Sequence, residues 1–88
     1  AGIECPPTHD GKRLKDVELF EGPPADKVEI MPQPGRFVVP QQPHELWDKY
    51  PPFTLGCTYA GSKDMVTIVL PREIKVCDFP HYPQVDCH

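Results

Sequence analysis

The stretch from Phe53 to Phe79 constrains the fold of this chain more than any other part. It reads Phe-Thr-Leu-Gly-Cys-Thr-Tyr, a turn, Met-Val-Thr-Ile-Val-Leu-Pro, a second turn, then Glu-Ile-Lys-Val-Cys-Asp-Phe. The period-two alternation of apolar residues is that of β-strands. Phe53, Leu55, Cys57 and Tyr59 fall on one face of the first strand, and Thr54, Gly56 and Thr58 on the other. Ala60–Asp64 carries Gly61 and Asp64 where a hairpin loop needs them. Met65–Leu70 is rich in β-branched residues, which predicts a central strand. Ile74 and Val76 then alternate with Lys75 and Cys77. The expectation is a three-stranded antiparallel meander with a cysteine in each outer strand.

Upstream, Val17 and Leu19 alternate with Asp16 and Glu18, which predicts a half-buried strand over Leu14–Phe20. Arg36–Val39 predicts a second, shorter strand between Gly35 and Pro40. Pro23 or Pro24 is placed to open a short helix over Ala25–Ile30, with Asp26 in its first turn and Val28 and Met31 on its buried edge. Pro43–Tyr50 has Leu46, Trp47 and Tyr50 at helical spacing. Asp78–His88 reads as a proline-broken tail. Thirteen prolines spread along the chain stiffen the loops and keep every element short. The fold class expected is therefore α+β and β-rich: the C-terminal meander, one or two N-terminal strands in a small antiparallel sheet, and a short helix.

Eighty-eight residues make a single domain over 1–88, and a chain of that size buries only about 60–65% of its unfolded surface. A covalent staple is expected, and four cysteines supply it. They stand at 5, 57, 77 and 87, without the C-x2–4-C pairs of structural zinc sites, so disulfides are expected rather than a metal. With Met65–Leu70 between the outer strands, Cys57 and Cys77 lie roughly 9.5 Å apart, beyond the ~7 Å reach of a disulfide. Of the two pairings left, Cys5–Cys57 with Cys77–Cys87 is favoured, since its second bond pins the tail through a short loop. Disulfides place the chain in an oxidising compartment. The sequence opens Ala-Gly-Ile-Glu-Cys without a signal peptide, as a mature or trimmed chain does, and that does not argue for cytosol.

Residue types for catalysis are sparse. Ser62, the sole serine, sits in the hairpin tip between Gly61 and Lys63, with no histidine base nearby in sequence, and reads as a turn residue. Histidines at 9, 44, 81 and 88 lack the spacing of a zinc protease and read as solvated loop residues. The carboxylates Glu18, Glu21, Asp26 and Glu29 read as solvated faces. No enzyme activity, cofactor or metal is expected. A formal charge of −4 with scattered Lys and Arg disfavours nucleic acid and is compatible with a basic protein partner. No apolar run approaches the roughly 20 residues that cross a bilayer. The chain contains no asparagine, hence no N-glycosylation acceptor, which favours a bacterial envelope protein.

Several phrases carry a resemblance: Cys5-Pro6, Leu14-x-x-Val17 leading to Leu19-Phe20-Glu21-Gly22-Pro23-Pro24, Cys57-x-Tyr59, Val66-Thr67-Ile68-Val69-Leu70-Pro71, and Cys77 with Cys87. With them the chain resembles a family of small, uncharacterised secreted proteins of Gram-negative bacteria, known mainly by a Salmonella locus tag. The resemblance implies export to the periplasm and associates some members with genomic neighbourhoods of contact-dependent antibacterial secretion. It brings no catalytic residues. It is weakest over residues 32–50, where a partner-specific surface is expected.

Together these readings predict an exported periplasmic binding protein of the inhibitor or immunity kind, acting by contact with a secreted hydrolase or toxin. A structural or accessory module of the cell envelope is the alternative, and a small enzyme the third reading. The contact residues expected are Trp47 and Tyr50, as aromatic anchors, and the loop Gly61, Ser62, Lys63 and Asp64. Core packing is the competing role for Trp47.

Overall fold

The computed structural model describes residues 2–88. Eight strands form two antiparallel sheets: β1 (Thr8–His9), β2 (Lys12–Glu21), β3 (Glu29–Ile30), β4 (Arg36–Val38), β5 (Phe53–Tyr59), β6 (Met65–Val69), β7 (Val76–Asp78) and β8 (Asp86–Cys87). The larger sheet has the order β1-β2-β5-β6, with β3 also on β2; the smaller has the order β4-β7-β8.

The larger sheet is built on the longest alternating segment. In β2, Val17 and Leu19 stand opposite Cys57 and Leu55 of β5, which in turn stand opposite Val66 and Ile68 of β6. These residues share one face, and burying it stabilises the sheet. They meet Phe37 and Val39 from the β4 segment and Cys77, Val85 and Cys87 from the C-terminal part in one core. On the opposite face of β5, Gly56 lies under Phe20 and Met65. A Cβ there would sit 2.7 Å from the Met65 sulfur and 3.0 Å from the Phe20 ring, so only glycine lets both close over the strand.

The third strand of the expected meander is not in the same sheet. β7 pairs with β4 and β8, so β6 is an outer strand rather than a central one. The residues after Asp78 are also more than a tail: β8 lies between β7 and an isolated bridge from Ile3. Cys77 and Cys87 are directly opposed, and Val76 and His88 beside them exchange both backbone bonds. Cys77–Cys87 is thus a non-hydrogen-bonded pair, the closer of the two antiparallel approaches, with Cα atoms 3.9 Å apart across its disulfide. The second disulfide joins Cys5 to Cys57 at a Cα separation of 5.9 Å. The pairs are those favoured from sequence, but the strand order behind that argument is replaced: Cys57 and Cys77 are kept apart by lying in different sheets.

The expected short helix is absent among the described residues. Pro24–Asp26 and His44–Leu46 form single 3-10 turns, because segments bounded by proline on both sides are too short to repay helix nucleation. Glu29–Ile30 instead adds to the free edge of β2 as β3. Val28 and Met31, expected to be buried, are exposed, Met31 at 77%.

Candidate interaction surface

The expected contact residues lie at the two ends of the β5–β6 hairpin. At one end, the carbonyls closing the His44–Leu46 turn have no helical partner of their own. Arg72, just beyond β6, caps them: its guanidinium donates to the carbonyls of Trp47 and Tyr50, each at 2.7 Å. It also stands 5.8 Å from the Trp47 ring centroid. The indole N–H donates to the Gln42 carbonyl at 3.0 Å, and the His44 ring meets Trp47 edge-on at 4.4 Å. Trp47 is half-buried and lines a small pocket together with Val39, Phe53 and Leu70. Tyr50 is 43% exposed on backbone that Arg72 holds.

At the other end, Gly61 takes φ 77°, a left-handed conformation that favours glycine. The Ser62 amide donates to the Tyr59 carbonyl and the Ser62 hydroxyl accepts from the Asp64 amide, both at 3.1 Å. Ser62 thus serves as a turn residue. Gly61, Lys63 and Asp64 are exposed. Asp64 lies beside His9 and Asp10, one donor atom of each within 4.8 Å of the others; all three are solvated or nearly so. Seven residues of β5 separate the two ends, about 20 Å at the rise of a strand, so they are not one cluster. β6 runs between them.

Two titrating groups stand out elsewhere. In sequence Glu18 and Glu29 read as solvated faces, but pairing β3 to β2 brings them together. The hydrogen bond with Glu29, then partial burial, then the Glu29 and Asp16 charges push the Glu18 carboxyl up to about 7. The folded state therefore binds a proton that the unfolded chain holds only below about 4.5. Stability should fall as pH rises from 5 through 7, and Glu18→Gln should flatten that slope and raise the thermal midpoint at pH 8. The pair faces solvent, so the effect is expected to stay under about 1 kcal/mol; thermal unfolding across pH 5–8 checks it. Asp78 is shifted oppositely. His88, hydrogen-bonded at 2.8 Å, and Arg36, at 3.0 Å, hold its carboxyl below the usual range. What they contribute is lost only in acid, as pH falls through that lowered value.

Among the described residues no helix is long and apolar enough to cross a membrane, and both disulfides fit an oxidising compartment. No curated protein and no solved structure matches the chain significantly. A family model does: that of the type VI secretion system Tli immunity protein matches residues 7–88. The matched span takes in both sheets and both ends of the hairpin, and the chain belongs to that family, as an immunity-type protein that binds a toxin partner.

Proposed function

We propose that the chain acts in the periplasm of a Gram-negative bacterium as a rigid plug for a secreted hydrolase toxin, with Trp47, Tyr50 and the Gly61–Asp64 loop as contacts. The observation that carries this reading is the Tyr50 corner: an exposed aromatic on backbone already fixed by Arg72. Aromatic anchors dominate interface energetics, and a loop ordered before binding loses little entropy on association. The disulfides support an oxidising site of action, and the acidic charge of −4 suits a toxin with a basic face.

Periplasmic co-expression with the cognate type VI toxin tests the reading. The wild-type chain should restore growth and co-purify with the toxin as a stoichiometric complex. Tyr50→Ala should weaken that complex by about 2 kcal/mol, the usual loss at a hot spot. Killing that proceeds unchanged in the presence of the chain would refute the proposal and favour an envelope accessory role.

A further inference from the structure

Among the described residues β6 pairs with β5 alone, so it is an edge of the larger sheet. The Leu70 amide donates to the Phe53 carbonyl at 2.8 Å, which sets the phase of the ladder. Antiparallel pairs alternate, so Ile68 and Val66 turn their backbone groups toward β5, while Met65, Thr67 and Val69 turn theirs outward. Among the described residues, no other segment engages these outward groups.

Soluble proteins usually protect such an edge with a charge, a proline, a bulge or a covering loop. Met65–Val69 carries no charge and no proline, and its register with β5 is unbroken. Val69 is 61% exposed. The opposite edge of the same sheet is treated differently. There β1 and β3 take up β2, and in the gap between them the Val17 amide is bonded by Asp16 Oδ1 at 2.9 Å, with the Tyr82 hydroxyl at 3.5 Å. One edge is covered and the other is left bare.

From this we infer that β6 is a docking edge for the toxin, which adds an extended, uncharged segment of its own as a further strand. Three residues presenting amide and carbonyl on one line match a strand and not a helix. The five-residue edge spans about 17 Å and connects the Trp47–Tyr50 corner to the Gly61–Asp64 loop, so strand pairing joins the two contacts into one surface. A second copy is the weaker occupant, since it would oppose two chains of charge −4 each. The inference rests on the toxin-binding reading above and adds the mode of binding.

Thr67→Pro removes an outward amide that bonds nothing in the free chain, and proline is tolerated on an edge in that orientation. Val69→Lys adds the charge the edge lacks, and Thr67→Ala alters the side chain alone. Titrated against the purified cognate toxin, Thr67→Pro and Val69→Lys should each lose tenfold or more in affinity, while Thr67→Ala binds as wild type. Independently of any variant, hydrogen exchange of the wild-type chain should show the Met65, Thr67 and Val69 amides protected when the toxin is added. Unchanged affinity in both edge variants, or amides that stay unprotected in the complex, overturns the inference while leaving toxin binding in place. A wild-type chain that sediments as a dimer, and that Thr67→Pro makes monomeric without loss of toxin affinity, assigns the edge to a second copy and overturns it too. Failure of the wild-type chain to bind the toxin strikes instead at the reading on which the inference rests.

Discussion

Alanine at both Cys5 and Cys57 is expected to lower the unfolding free energy by about 4 kcal/mol, against about 3 kcal/mol for alanine at both Cys77 and Cys87. The two bonds close loops of very different length, with sequence separations of 52 and 10 residues, and the entropy removed from the unfolded chain grows with the logarithm of the loop. Burial does not separate the bonds: Cys57 is fully buried on the central β5 strand, in register with Val17 and Val66, and Cys77 and Cys87 are fully buried as well, so either loss leaves an imperfection in the core. The Cys77–Cys87 pair keeps alternative support, because His88 and Val76 still exchange backbone bonds and Ile3 still pairs with Cys87. The N-terminal segment likewise keeps the Ile3 pairing with Cys87, the Tyr59 hydroxyl on the Pro6 carbonyl at 2.7 Å and the Leu14 amide on the Pro7 carbonyl at 3.0 Å, so loop length decides the order. A domain of this size has only about 5–15 kcal/mol in total, so the Cys5/Cys57 variant should be the less stable of the two and marginal at 37 °C. Urea unfolding of both variants under non-reducing conditions measures the order. A larger loss in the Cys77/Cys87 variant would show that the smaller sheet, not the N-terminal staple, limits stability.

The longer strands and the β5–β6 hairpin were legible in the sequence, but the other pairings were not. Alternation locates β2, β4, β5 and β6 because each buries one face. The pattern Ile74, Val76 looks the same whether the strand joins β6 or β4, since register and sheet are decided by contacts distant in sequence. The two-residue β8 lies beyond Pro80 and Pro83 and has no period to read; the Ile3 bridge and the Cys77 disulfide place it. Val28 and Met31 had helical spacing, yet prolines on either side left no room for a helix, and the open edge of β2 took up Glu29–Ile30. The Glu18–Glu29 pair was invisible for the same reason, as it exists only once β3 docks. The bare edge at β6 was hidden by its own signal. Met-Val-Thr-Ile-Val reads as a central strand because uncharged β-branched residues usually lie between two others, whereas here only one side of the strand, toward β5, has a partner among the described residues.

Leu55→Ala is expected to cost about 3–4 kcal/mol. Leu55 is fully buried at the middle of β5, opposite Leu19 on one side and Ile68 on the other. The cavity would open where the larger sheet meets the shared core. The walls cannot close over it, because the registers on both sides are fixed by neighbouring pairs, and the Cys5–Cys57 disulfide restrains the same strand two residues away. Thr67→Ala, exposed on the adjacent edge strand, should stay within about 0.5 kcal/mol of wild type. Urea unfolding with both disulfides intact makes the comparison. A loss below about 1 kcal/mol for Leu55→Ala would mean that β5 does not carry the core. The two variants also separate stability from recognition. At a temperature where Leu55→Ala is still folded, its affinity for the toxin should equal that of wild type, because no surface residue has changed. Thr67→Pro should do the reverse, losing affinity while keeping most of the stability. Leu55 fills the core behind the hairpin, whereas Thr67 lies on its open edge, and only the edge is within reach of a partner.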